Sequence, residues 1–192
     1  MIQGSDEWLM WRGKGVGSSD IGSIMGINPY KTVRELYLEK TGLIKPEDLS
    51  NKPAIKKGVR LEPVARDFAN EYFKCTYEVK TFESSYNKLF RYSSDGVCED
   101  NNSIIEIKCM GLKNHAKVVE TMQMPEYYYP QCQWGLMVSG FETCHFIAYS
   151  EEHEKKTVVI SFERDNHLFD VMTDKSLRFL KAVEARDYSI IR

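Results

Sequence analysis

The segment Ser103-Ile104-Ile105-Glu106-Ile107-Lys108-Cys109 limits the fold more than any other stretch of the chain. It is β-branched and apolar enough to be a strand, yet it carries an acid and a base two residues apart. Side chains alternate along a strand, so Ile105, Ile107 and Cys109 point to one face while Glu106 and Lys108 share the other. The same pattern also fits a solvated strand face bearing an ordinary surface ion pair, and taken alone it is common.

Eleven residues before Glu106, Ser93-Ser94-Asp95-Gly96 reads as a turn between two short extended pieces, Phe90 to Ser93 and Gly96 to Cys98. A neighbouring strand at that turn would bring the Asp95 carboxylate beside Glu106. Two carboxylates converging on one point repel unless a positive charge lies between them, and a hard divalent cation such as magnesium provides it. Such an ion can hold a phosphate oxygen and supply a nucleophilic hydroxide. Lys108 would then orient or activate the attacking water, or offset charge building on the phosphate.

The remaining segments place other polar groups. Ser18-Ser19-Asp20 before Ile21, Ile24 and Met25 is an N-cap signal followed by helical spacing, and Asn28-Pro29-Tyr30 ends that helix. Arg12 and the Ser18-Ser19 pair therefore lie beside a helix N-terminus, a natural place for a phosphate, although Ser19 also reads as a plain N-cap. Thr32-Val33-Arg34-Glu35 is a capping box opening a second helix. Residues 54–73 predict a longer helix with Leu61, Ala65, Phe68 and Tyr72 as its apolar stripe and a kink or break at Pro63. Gly58, Glu62, Ala65 and Ala69 share one face of it, so Glu62 either points into a site or stands exposed. Tyr77 to Phe82 alternates like a strand. Helices are expected over 113–122 and 125–138, strands over Thr143 to Ser150 and Lys156 to Phe162, and a closing helix over 165–186 with Phe169, Met172, Leu177, Leu180 and Val183 in register. Gln131 sits among Tyr127, Tyr128, Tyr129 and Trp134, where it orients a water or phosphate or satisfies a backbone group. This order of elements predicts an α/β or α+β domain spanning 1–192, with a central mixed sheet flanked by helices.

Composition narrows the classes. Lys and Arg total 26 against 28 Asp and Glu, a net charge of −2, so any nucleic-acid partner must meet locally confined positive charge. The five cysteines form no Cys-x-x-Cys pair, which fits neither a zinc knuckle nor a redox motif. No apolar run approaches the roughly 18 residues that cross a bilayer, and the N-terminus lacks a basic start and an apolar core. A cytoplasmic location is the expectation.

Six segments in this order resemble the YqaJ-type viral recombinase family, whose best-known relative is the phage lambda exonuclease. They are Trp8-Leu9-Met10-Trp11-Arg12, Gly17 through Gly26 with Asn28-Pro29-Tyr30-Lys31, Gly58-Val59-Arg60-Leu61-Glu62-Pro63, Ser93-Ser94-Asp95-Gly96, Glu106-Ile107-Lys108, and Tyr128-Tyr129-Pro130-Gln131-Cys132-Gln133. The resemblance implies a PD-(D/E)xK, restriction-endonuclease-like core, with Ser94 standing where the fold's name has proline. It implies Asp95, Glu106 and the backbone carbonyl of Ile107 as ligands of Mg2+ (Mn2+ substituting), and Lys108 positioning the nucleophilic water. Glu62 and Gln131 would complete the active site, and Arg12, Ser19 and Ser93 would bind a 5′-terminal phosphate. The implied activity is 5′→3′ exonucleolytic degradation of double-stranded DNA from its ends, leaving 3′ single strands for a single-strand annealing protein in phage-type recombination. A ring-shaped homotrimer, a bacterial host cytoplasm and a phage or prophage origin are implied with it. Two other readings keep the fold: an endonuclease, and a non-catalytic or structure-specific DNA-end-binding protein.

Overall fold

The computed structural model describes Met1 and residues 3–191. Helix α1 (Asp6–Gly13) leads into strand β1 (Val16–Gly17), helix α2 (Ser18–Met25), helix α3 (Val33–Lys40) and the long helix α4 (Pro53–Phe73). Strands β2 (Thr81–Glu83), β3 (Phe90–Ser93), β4 (Gly96–Cys98) and β5 (Ser103–Cys109) follow. Helix α5 (Leu112–Thr121), a 3-10 turn (Glu126–Tyr128) and helix α6 (Tyr129–Ser139) return the chain to strands β6 (Thr143–Tyr149) and β7 (Thr157–Glu163). Helix α7 (Asn166–Ala185) and a 3-10 turn (Tyr188–Ile191) close the described chain.

The central mixed sheet has the order β4-β5-β6-β7, with β5 and β6 parallel and the outer pairs antiparallel. A smaller sheet, β1-β3-β2, lies beside it. Each face of the central sheet carries its own apolar cluster. Ile105, Ile107, Ile147 and Tyr149 pack against Leu61, Ala65 and Ala69 of α4. On the other face Ile104, Phe146, Ala148 and Val158 join Trp134 and Leu136 of α6 and Met172 and Phe179 of α7. Strands buried on both faces need near-continuous apolar sequence, which is why β5 and β6 are so rich in isoleucine and aromatics. Alternation then requires Glu106 and Lys108 to point toward the α6 side, in register with Phe146 and Ala148.

Several local expectations shift. Helix α4 runs unbroken through Pro63, and its buried stripe is Leu61, Ala65 and Ala69 while Tyr72 stands 60% exposed. The alanines let the helix axis approach the sheet closely. Tyr77 to Phe82 contributes only a single bridge, Glu78 to Val97, before β2 begins at Thr81. Helix α2 is capped by Gly17, with Asp20 at its third position accepting from the Gly17 N–H, so Ser19 is not the N-cap. Gly26 ends that helix at φ 78°, a left-handed conformation that glycine adopts without a Cβ clash. In α7, Ser176 and Phe179 occupy the buried stripe and Leu177 faces outward.

His145 on β6 shows how tightly the sheet is sealed. It is 9% exposed, stacks on Phe73 at 4.0 Å between centroids and bonds Ser161 Oγ at 2.7 Å through Nδ1. Burial pushes its pKa down to about 4. The folded state therefore holds His145 neutral where the unfolded chain would protonate it, so its contribution is full above about pH 6.5 and declines as pH falls to about 4. Denaturant titrations from pH 7 to 4 are expected to show up to about 3 kcal/mol of stability lost through this residue. His145→Gln should flatten that slope, and an unchanged slope would contradict the assignment.

Candidate active site

The ladder between β4 and β5 stops at the pair Gly96 and Ile105. Beyond it the edge of β5 is open, and a side chain replaces a strand: the Ile107 N–H donates to Asp95 Oδ2 at 2.7 Å. Along a strand the N–H and C=O of one residue face the same edge, so the Ile107 carbonyl also faces Asp95. Gly96 makes this possible sterically, because a Cβ there would lie 2.8 Å from Ile105 Cδ1 and 2.8 Å from Tyr77 Cβ. Ser94 explains why proline is missing before the aspartate. Its N–H donates to the Lys80 carbonyl at 2.9 Å, a bond proline cannot form, and its hydroxyl both accepts from the Lys80 N–H and donates to that carbonyl.

Glu106 is 3% exposed, which removes the solvated-surface reading of its strand face. Its Oε1 accepts from Lys108 Nζ at 2.6 Å and from Gln131 Nε2 at 2.6 Å. Gln131 thus serves a carboxylate rather than a backbone group. It is Gln133 that satisfies backbone, donating to the Glu163 carbonyl and accepting from the Asp165 N–H. Lys108 Nζ also lies 5.1 Å over the ring of Tyr128. Burial lowers the affinity of Lys108 for its proton, but Glu106 and Asp95 outweigh burial and leave the ammonium pKa above the ordinary lysine value.

Glu62 enters from α4, on the opposite face of the sheet. Arg66, one turn later, donates Nη2 to Glu62 and Nε to the Asp95 backbone carbonyl at 2.5 Å. One guanidinium therefore joins the helix to the turn that carries Asp95. Burial, then the facing charges of Glu106 and Glu62, push the Asp95 carboxyl well above the usual carboxylate range, against the pull of Lys108 and the Ile107 N–H.

The donors suit a hard cation. Among the described residues Asp95 Oδ1 and Glu106 Oε2 have no hydrogen-bond partner, so each carboxylate keeps one oxygen to offer. No three His, Cys, Asp or Glu side chains gather as a complete ligand set among the described residues. Two carboxylates and a carbonyl, with the remaining positions left to water and phosphate, is the kind of site magnesium takes.

A second polar cluster lies at the start of the chain. Arg12 Nη2 donates to Ser19 Oγ at 2.5 Å, and the Arg12 guanidinium lies 4.9 Å over the Trp8 ring. Trp8, 6% exposed, donates Nε1 to Ser93 Oγ at 3.1 Å. Arg12, Ser19 and Ser93 are thereby linked through Trp8, and Ser93 stands two residues from Asp95. Lys40 fixes the turn after α1 by donating to the Gly15 carbonyl at 2.7 Å while pairing with Asp20 at 2.9 Å.

Arg66, Trp8 and Tyr128 are the contributors that sequence reading did not assign. Only Arg66 leaves a local trace, its i,i+4 spacing from Glu62. A cavity of about 500 Å3 between α4 and the β6–β7 turn, lined by Val64, Phe68 and Tyr149, holds none of the site residues, so concavity alone does not find them.

The fold that carries this arrangement is shared with solved exonucleases. The alkaline exonuclease LHK-Exo from Laribacter hongkongensis superposes with a TM-score of 0.84 at 24% identity, over 95% of this chain and 94% of that one. LHK-Exo has also been solved in complex with dAMP. A phage-related exonuclease from Haemophilus somnus gives 0.69 at 15% identity, over 89% and 94% of the two chains. Residues 7–142 match the YqaJ-like viral recombinase domain, and the chain belongs to that family. It is 30% identical over 178 residues to the YqaJ protein of Bacillus subtilis, covering 91% of this chain and 54% of that protein. An African swine fever virus protein is 27% identical over 161 residues, 71% of this chain and 46% of the relative. The chain thus spans about half the length of the curated relatives it matches.

The bridging role of Arg66 predicts a stability effect. Arg66→Met leaves Glu62 and the Asp95 carbonyl without their shared donor and should cost about 1–3 kcal/mol, or roughly 2–12 °C in Tm. Arg66→Lys should recover little, since one ammonium cannot reproduce the two-point fork. A Tm equal to wild type in Arg66→Met would refute the bridge.

Proposed function

We propose that this domain is a metal-dependent exonuclease that degrades double-stranded DNA 5′→3′ and leaves 3′ single-stranded overhangs for recombination. The observation that carries the reading is the convergence of Asp95, Glu106, Lys108 and Gln131 in one half-buried recess, tied through Ser93 and Trp8 to Arg12 and Ser19. The likeness to an exonuclease solved in complex with dAMP supports a nucleotide-bearing substrate.

Asp95, Glu106 and the Ile107 carbonyl would hold Mg2+, with Mn2+ able to replace it. A bound ion of this kind supplies Lewis-acid activation of the scissile phosphodiester. Gln131 holds the Glu106 carboxylate in place, and the Lys108 ammonium orients the attacking water and offsets charge developing on the phosphate. Glu62, steered by Arg66, would add a further acceptor for water from the α4 side of Asp95. Arg12 supplies a guanidinium, and Ser19 and Ser93 supply hydroxyls, for a 5′-terminal phosphate. Docking that phosphate would place the first phosphodiester bonds, not an internal one, near Lys108. On this reading the working protein meets DNA ends in the host cytoplasm. It hands its product to an annealing protein, and a ring of three copies would keep the duplex enclosed. Among the described residues no helix is long and apolar enough to cross a membrane.

Linear duplex labelled at its 5′ or 3′ ends, incubated with magnesium or with chelator, tests this directly. Wild type should release 5′ nucleotides only with magnesium, and Asp95→Ala should lower the rate at least about 100-fold. Wild type should also prefer 5′-phosphorylated over 5′-hydroxyl ends, and Arg12→Ala should abolish the preference. Binding of ends without hydrolysis would make the domain an end-binding protein, and cutting of closed circular DNA would make it an endonuclease. Either result would overturn the proposal.

A further inference from the structure

Three tyrosines lead from the recess to the surface. Tyr128 packs against the core at Phe146 on one side and carries Lys108 Nζ over its ring at 5.1 Å. Tyr127 lies 4.4 Å from Tyr128, and Tyr30 meets Tyr127 edge-on at 6.0 Å. Tyr30 is 75% exposed, and an edge-on contact covers at most one face of a ring, so the other face is open to solvent.

The backbone beneath this ladder is firmly held although its outermost ring packs on so little. Asn28 Oδ1 accepts from the Tyr30 N–H at 2.8 Å, and Asn28 Nδ2 donates to Ser23 Oγ at 3.1 Å. Ser23 in turn donates to the Lys31 carbonyl at 2.9 Å, so the turn bearing Tyr30 is tied to α2 on both sides. At Gly22, also on α2, a Cβ would come 3.7 Å from the Tyr127 carbonyl, which shows how closely the two segments approach. Helix α2 thus carries Ser19 at its start and anchors the tyrosines near its end. The distance from Ser19 to Met25 along the axis is roughly 9 Å.

We propose that the exposed ring of Tyr30, backed by Tyr127 and Tyr128, is a stacking platform for unpaired bases of the DNA strand entering the recess. This rests on the nuclease reading above. Glu106 is 3% exposed, and a strand drawn out of the duplex to bring its phosphodiester there would lose the stacking partners of its bases. Aromatic faces restore stacking to any base, giving sequence-tolerant binding of single-stranded DNA. The platform begins at the catalytic lysine, where a displaced strand would need it.

Fluorescence anisotropy with a labelled single-stranded oligodeoxynucleotide in chelator isolates this binding from hydrolysis. Tyr30→Ala, at an exposed position, should weaken binding about tenfold and Tyr30→Phe should restore it. Tyr127→Leu should act in the same direction as the alanine variant. An oligonucleotide abasic throughout should bind wild type and Tyr30→Ala equally. Equal affinities of wild type and Tyr30→Ala for the intact strand, or undiminished binding of the abasic strand by wild type, would overturn the platform. Magnesium-dependent digestion by wild type, measured in parallel, reports separately on the nuclease reading. Digestion without a stacking effect removes only the platform, and a stacking effect without digestion removes the nuclease reading and leaves a single-strand-binding surface without the catalytic site it is proposed to serve.

Discussion

The hydrogen bond from the Ile107 N–H to the Asp95 carboxylate organises the rest of the site. A strand edge left open inside a protein needs its donors satisfied, and here the partner is a side chain, not another strand. That choice draws a carboxylate to the edge of β5, one position along from the buried Glu106. It also turns the Ile107 carbonyl the same way. Much of the nearby structure serves to keep Asp95 there: Ser94 pins the turn to the Lys80 backbone, Gly96 admits the close approach of Ile105, and Arg66 grips the Asp95 carbonyl.

Electrostatics explains the company this turn keeps. Burial and the charges of Glu106 and Glu62 all oppose ionisation of Asp95, while Lys108 favours it. Lys108 is bonded to Glu106 and Arg66 to Glu62, so among the described residues the Asp95 carboxylate has no ion-pair partner, and a divalent cation would redress that. The same logic would reconcile a net charge of −2 with the proposed DNA substrate. Arg12, Arg66 and Lys108 are held in place by Ser19 and Trp8, by Glu62, and by Glu106, while other charges pair with each other on the surface.

Strand β5 was legible to the residue because two-sided burial writes itself into continuous apolar sequence, and alternation then placed Glu106 and Lys108 on one face correctly. Whether that face was wet was not legible. Exposure of Glu106 depends on α6, whose Gln131 lies 25 positions away in sequence. Edge elements were read less well. Tyr77 to Phe82 alternates as a strand should, yet pairing with β3 starts only at Thr81, because register is set by the partner. In α4 and α7 the apolar spacing was right over the first turns and then drifted by one residue, because packing buried Ala69 rather than Phe68 and Tyr72, and Ser176, Phe179 and Ala182 rather than Leu177, Leu180 and Val183. Trp8 and Ser93 meet across 85 positions, a contact that no local pattern encodes.

If Asp95 and Glu106 form a cation site at the open edge of β5, crystals soaked in manganese and measured at the manganese absorption edge will show it. An anomalous peak is expected within coordination reach of both carboxylates and the Ile107 carbonyl, and it should be absent from Asp95→Asn crystals. A peak confined to other acidic residues, or none at Asp95 in wild-type crystals, would rule the site out.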